Sequence, residues 1–290
     1  MSKYVPKEIV EEVNVTPVHP LVNVAYLFAT VAVVGSVIYG LLGVTASQLA
    51  IRIGPEAEEN IGATITAAFP ARTAEEDSRV EYLERLLASL EANVRKAGLD
   101  DGQYPPLKVR TLAADEENAM VTAGSYLFVT DGLLAAVDSE NELAFVLAHE
   151  LGHLHNRDPL KALGRSLVLL TISSALGIAQ SNSTLVNIVS ASELSYSRNQ
   201  ETAADDYAIR LIEAHYRHVG DSLGFFERHR EPDLGALGTI AEWQQTHPLS
   251  KNRIQRLEAE FEQQGWSQLG KIEPLPEGIE CPNFEECEED

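Results

Sequence analysis

The spacing of apolar and polar positions along the chain changes period several times, and each change marks an element. Leu21 to Val44, LVNVAYLFATVAVVGSVIYGLLGV, is twenty-four residues without a charge, and roughly twenty suffice to cross the hydrocarbon core of a bilayer. A core helix of that length would show a polar face. A cleaved leader would have a shorter apolar core and more positive charge than Lys3 and Lys7 supply. The stretch is therefore expected to be a single transmembrane anchor.

Beyond it the period becomes helical, then that of strands, then helical again. Ser78 with Glu81 reads as a capping box, Val80, Leu83, Leu86, Leu87, Leu90 and Val94 follow at helical spacing, and Gly98 closes the segment. Leu107 to Leu112 alternates, Ala119 to Thr122 is short and apolar, and Tyr126 to Thr130 is rich in strand formers. Ser139 with Glu142 forms a second capping box ahead of a helix running to Arg157. Leu160 to Ala179 is apolar but carries Lys161, Arg165 and two glycines, Gly164 and Gly177. It reads as a hydrophobic insertion over 160–189 that lies on the membrane or over a site, with a second crossing as the alternative. A further helix is expected to start near Ser190, with Glu193 in capping register, and a last one at Ser250 with Ile254, Leu257 and Phe261 on one side.

The expected organisation is an arm over 1–20, the span over 21–44, a linker or first piece of the soluble part over 45–74, a domain over 75–270 and an acidic tail over 271–290. The fold class is α+β, mostly helical with a small sheet. With 44 acidic against 22 basic side chains the formal net charge is −22. That excludes a nucleic-acid partner, whose phosphates need a basic patch. It also disfavours adhesion to anionic lipid heads, leaving insertion of apolar sequence as the route to membrane lipid. Lys3 and Lys7 precede the span and Arg52 follows it, so the positive-inside rule leans toward a catalytic domain outside the cytoplasm. Cys281 and Cys287 are the only cysteines; they form no metal hook, and a small disulfide or two free thiols fit equally.

The chemistry is concentrated in His149-Glu150-Leu151-Gly152-His153. On a helix the two imidazoles sit one above the other as a clamp for one metal ion, and Glu150 is placed to take a proton from water rather than to bind the metal. A catalytic zinc needs a third protein ligand. Downstream, Glu201 and Asp205 are four residues apart among alanines. Glu201 is the expected third ligand, and Asp205 the acceptor for the outer N–H of a metal-bound histidine, while Asp206 lies further round the helix as surface. His247 and Arg253, at the head of the last helix, are candidates to stabilise an oxyanion. His155 is expected to point away, His215, His218 and His229 to be exposed, and His19 to be interfacial.

Taken together, His149-Glu150-Leu151-Gly152-His153, the run from Ser197 to Asp205 and Thr246-His247-Pro248-Leu249-Ser250 with Arg253-Ile254 resemble the three signatures of the membrane-associated zinc endopeptidases that include HtpX-type and CAAX prenyl proteases. The resemblance covers roughly 107–261. It implies a thermolysin-like zincin fold in which substrate is added to the edge of a small sheet. It also implies one zinc on His149, His153 and Glu201, Glu150 as base, Asp205 as orienting carboxylate, and His247 and Arg253 near the reaction centre. HtpX-type members have two leading spans where this chain shows one, and the prenyl proteases carry far more membrane helix, so their substrates are not inherited. The expected function is a zinc metalloendopeptidase acting on unfolded or membrane-adjacent protein or peptide. The alternative is a noncatalytic membrane adaptor with a structural metal site.

Overall fold

A computed structural model describes residues 19–175 except 68, 101 and 103, then 196–228, 247 and 251–281. Two units are divided after Leu42. The long helix α1, Pro20–Ala50, begins in the first and ends in the second. At about 1.5 Å per residue it is roughly 45 Å long, and its large apolar side chains from Leu21 to Leu42 are exposed. Among the described residues it is the one helix long and apolar enough to cross a membrane, and it fits a membrane anchor. The expected insertion begins as α6 (below), and its part from 176 to 189 lies outside the described residues, as does Ser190.

In the second unit, α2 (Pro55–Thr66) and the short strand β1 (Ala71–Arg72) occupy the stretch read as a linker. Helix α3 (Arg79–Glu91) follows, then β2 (Lys108–Leu112), β3 (Ala119–Thr122) and β4 (Tyr126–Thr130). The sheet order is β1-β2-β4-β3, with β2 parallel to β4 and the two outer pairs antiparallel. Strand β3 is thus an edge, joined to β4 by a turn with positive φ at Gly124 and Ser125. Helix α4 (Asp131–Ala136) leads to α5 (Glu140–His155) and α6 (Asp158–Ala175). Then come α7 (Arg198–Tyr216), α8 (Gly224–Arg228) and α9 (Lys251–Gln264). One core joins the apolar face of α3, the inner face of the sheet, α5, α7 and α9. This is the mostly helical domain with a small sheet expected from the pattern.

The caps differ from expectation in an instructive way. Ser139 does cap α5, its Oγ accepting from the Glu142 amide. The Glu142 carboxylate, however, accepts from Asp138 N and from Arg228 rather than from the cap residue's own amide. Ser78 is helical and makes no side-chain cap; Asp77 accepts from the Arg79 amide instead. The capping box that forms completely is Ser197 with Gln200 at the start of α7.

Asp77 also belongs to a buried ion-pair network. Its carboxylate accepts from Thr111 at 2.6 Å and from Arg79 at 2.6 Å, and Arg79 reaches Asp131 at 2.5 Å. Burial alone would raise the Asp77 pKa, but the hydrogen bonds from Arg79 and Thr111 outweigh it and hold the carboxyl below its usual value. A depressed folded-state pKa contributes stability above the unfolded value of about 4 that is lost as pH falls through the folded one. The melting temperature of the full chain is expected to fall below about pH 4, and Asp77→Asn should flatten that fall; equal acid slopes in the two chains would refute the assignment.

The chain from Gly265 to Cys281, which includes the start of the stretch read as an acidic tail, lies on the domain. Ser267 O accepts from Val219 N, Glu273 pairs with Glu140 N and Asn141 Oδ1, and Ile279 is 4% exposed in the core. Cys281 is disulfide-bonded, and Cys287 lies outside the described residues.

Candidate metal centre

Helices α5 and α7 lie together because one residue between them is glycine. A Cβ on Gly152 would sit 2.8 Å from Ala204 Cα and 2.9 Å from Ala204 O. Those are backbone atoms, so α7 would have to move. Gly152→Ala is expected to destabilise the chain by about 1–3 kcal/mol through overpacking, despite a helix-propensity gain of roughly 1 kcal/mol. It should also lower metal content, because the two helices carry different ligands; a melt and metal stoichiometry equal to the parent would contradict this.

Across that contact four side chains converge. His149 Nε2 lies 3.1 Å from His153 Nε2 and 3.2 Å from His247 Nδ1. Glu201 Oε1 is 3.3 Å from His153 Nε2 and 3.1 Å from His247 Nδ1. These four atoms form a group able to hold a metal ion. Donors at 2.0–2.2 Å from a tetrahedral ion stand about 3.3–3.6 Å from one another, and the spacings here, 3.1–3.3 Å, lie at or just inside the short end of that range. His149, Glu150 and His153 are fully buried, and Glu201, His247 and Arg253 nearly so. Among the described residues neither Glu150 oxygen has a hydrogen-bond partner, whereas Glu201 Oε2 is met by the Arg253 guanidinium. Buried carboxylate oxygens left so are costly unless a cation or a substrate meets them.

Around the four donors each charge has an assigned place. Asp205 Oδ1 is 3.1 Å from His149 Nδ1. Arg253 grips Asp205 through Nε at 2.7 Å and Nη2 at 2.6 Å, and its Nη1 is 2.5 Å from Glu201 Oε2. Arg253 is therefore committed to the two carboxylates, whereas His247 faces the interior of the site, with Nε2 3.4 Å from Glu150 Oε1. Asp206, expected as surface, pairs with Arg256.

The protonation pattern follows from burial and these partners. Burial, with the neighbouring cations, pushes His149 down to about 3, leaving it neutral with a lone pair to offer. Burial would lower His153 too, but hydrogen bonds to Asp158 and Glu201 override it and raise it to about 9. Burial raises Glu150. For Glu201 and Asp205 burial is outweighed by His247 and Arg253, in that order of residue, and both carboxyls sit far below the usual range.

Two groups at the centre escaped the sequence reading. Asp158, which precedes Pro159 and was given no role there, is 3.0 Å from His153 Nδ1. Tyr196 stacks on the His153 ring at 3.9 Å between centroids. Only the register of Asp158, five residues past His153, could have pointed to it. Of the peripheral histidines, His155 pairs with Asp100, and His218, expected exposed, is buried with the Gly220 amide donating to its Nδ1. His229 lies outside the described residues.

Comparison with known proteins gives a consistent picture. The pattern of peptidase family M48 matches residues 79–261. A "Protease HtpX homolog" of Acidiphilium cryptum is 31% identical over 159 residues, 48% of this chain and 52% of that protein. "Mitochondrial metalloendopeptidase OMA1" of Schizosaccharomyces pombe is 27% identical over 182 residues, 61% of this chain and 51% of its own. "Metalloprotease YcaL" of Escherichia coli is 28% identical over 173 residues, 57% of this chain and 66% of its own. The chain thus spans about half the length of the first two relatives.

Proposed function

The chain belongs to peptidase family M48, and from that membership and the buried centre we propose that it is a zinc-dependent metalloendopeptidase cleaving unfolded or membrane-adjacent proteins. The observation that carries this is Glu150: a buried carboxylate without a hydrogen-bond partner among the described residues, beside three imidazoles and a second carboxylate. A purely structural metal has no use for it. Two histidines and a glutamate are a ligand set of hydrolytic zinc, so His149, His153 and Glu201 are the assigned ligands.

When bound, zinc supplies a Lewis acid for the scissile carbonyl and acidifies a water molecule. Glu150 takes the proton of the attacking water and returns it to the leaving amine. Its raised pKa suits both halves of that shuttle. Asp205 fixes the ring of His149 from the far side, and Arg253 balances Asp205 and Glu201 so that two buried anions are tolerated. His247, whose Nε2 lies 3.4 Å from Glu150 Oε1, is assigned to the developing oxyanion. Substrate is read as an extended peptide laid along edge strand β3, where backbone pairing is indifferent to side chains.

One observation favours a second reading. His247 Nδ1 stands among the other three donors, and four protein donors would make a closed, structural centre in a noncatalytic adaptor. His247→Ala separates the two: the hydrolase keeps its metal and loses activity, while a closed centre loses metal. The direct test is cleavage of unfolded casein by the full chain in detergent, abolished by chelator and restored by zinc. Stoichiometric zinc with no cleavage would overturn the hydrolase. For the side of the membrane, Lys3 and Lys7 ahead of α1 and the disulfide at Cys281 support a domain outside the cytoplasm. Protection of the domain from added protease in inside-in sealed cells would contradict that.

A further inference from the structure

Two adjacent residues that follow α5 face in opposite directions. Arg157 has a positive φ of 56° and sends its guanidinium to Ile53 O at 2.9 Å and Glu58 Oε2 at 2.6 Å. Both acceptors belong to the stretch that follows α1, outside the residues matched by the family pattern. Asp158, fully buried, turns the other way, with Oδ2 3.0 Å from His153 Nδ1 and Oδ1 3.0 Å from Lys161 Nζ. Glu58 is itself buried and accepts from the Gly124 amide through its other oxygen.

The helix that Asp158 opens is seated on the foot of α1. Ser47 Oγ donates to Lys161 O at 3.1 Å, Ala50 packs with Leu160 and Leu163, and a Cβ on Gly164 would lie 2.9 Å from Ala46 O. A left-handed backbone costs a residue other than glycine roughly 1–2 kcal/mol. At Arg157 it persists because the guanidinium is held at two points, and that backbone turn is what aims Asp158 back at the helix that carries His149 and His153.

We propose that Asp158 is a positioning residue for the metal centre, acting through His153, and that the Glu58–Arg157 pair in the juxtamembrane segment holds it there. The inference rests on the metal reading given above. His153 serves a metal only if Nε2 carries the lone pair and the proton stays on Nδ1; a carboxylate on Nδ1 fixes that tautomer, aims the ring and makes Nε2 more basic. The ring is further pinned by Tyr196 stacked on its face. Asp205 does the same for His149 from α7. The two histidines are therefore oriented from different elements, His149 by the helix that carries Glu201 and His153 by the head of α6, which Arg157 ties to Ile53 and Glu58.

The test uses the full chain in detergent, zinc affinity by competition with a chromogenic chelator, and the visible absorption of the cobalt-loaded protein, which reports ligand geometry independently of stability. Asp158→Ala is expected to bind zinc about 10–100-fold more weakly and to change the cobalt spectrum. Asp158→Asn, which keeps shape and an acceptor, should lose several-fold and covers the case in which the alanine chain does not fold. Glu58→Gln, which breaks a buried ion pair, should lower the melt of the metal-free protein and also weaken zinc several-fold with a changed cobalt spectrum. Parental affinity and spectrum in both Asp158 variants would overturn the positioning role, and parental affinity in Glu58→Gln would overturn the juxtamembrane link. A parent chain that takes up no zinc would overturn the centre itself, so the two failures are told apart.

Discussion

Glu150→Gln is expected to keep zinc at the parental affinity and to lose peptide cleavage by about 100- to 10,000-fold in kcat, the range for removing a positioned general base. The amide keeps the shape of the side chain in its fully buried position, so neither the α5–α7 contact nor the donor spacing changes. What it loses is the ability to take up a proton. Removing a buried charge that has no hydrogen-bond partner among the described residues should also leave the melting temperature equal or higher. Zinc stoichiometry, a melt and casein kinetics on the same preparation check all three. Cleavage by the variant at the parental rate would remove Glu150 from the mechanism.

Glu201→Ala is expected to lose both metal and stability. The carboxylate is one of the converging donors and also lies against Arg253. Breaking a buried ion pair costs about 3–5 kcal/mol. Arg253 would keep its two-point grip on Asp205, which places the expected loss at the lower end of that range. Glu201→Gln should separate the effects, holding the packing while weakening zinc. Chemical denaturation in chelator measures the stability loss free of metal; if Glu201→Ala were as stable as the parent there, Arg253 would not depend on Glu201 for compensation.

How far the sequence reached depended on whether a signal was local. The anchor, the apolar stripe of α3, the strands and the helix carrying His149 and His153 are each set by the period of their own residues, and all were legible. The placement of Glu201 and Asp205 beside the histidines was legible because a histidine pair calls for a further ligand and one helix offered two carboxylates on a single face. Asp158 was not, since an acidic residue before proline reads as a break, and only the backbone turn at Arg157 brings it to His153. Ser78 misled for a related reason: Asp77, one residue earlier, is held in place by Arg79 and Thr111 and accepts from the Arg79 amide, and Ser78 itself is helical with a hydroxyl that caps nothing. The seating of residues 271–281 was hidden by their acidic composition, which concealed the few that matter, Ile279 in the core, Leu275 packed against it and Glu273 through its backbone.

That C-terminal seating has a consequence for how the protein matures. Arg79 Nη1 holds the carbonyls of Ile279 and Glu280, 200 and 201 positions away. The amide of Glu140, at the head of the helix that carries His149 and His153, likewise waits for Glu273. At about 5–20 residues per second, synthesis of the intervening chain takes on the order of 10–40 s. A nascent chain therefore displays its histidine pair well before the final stitch is available, and the finished domain forms after translation of position 280 rather than progressively as the chain emerges.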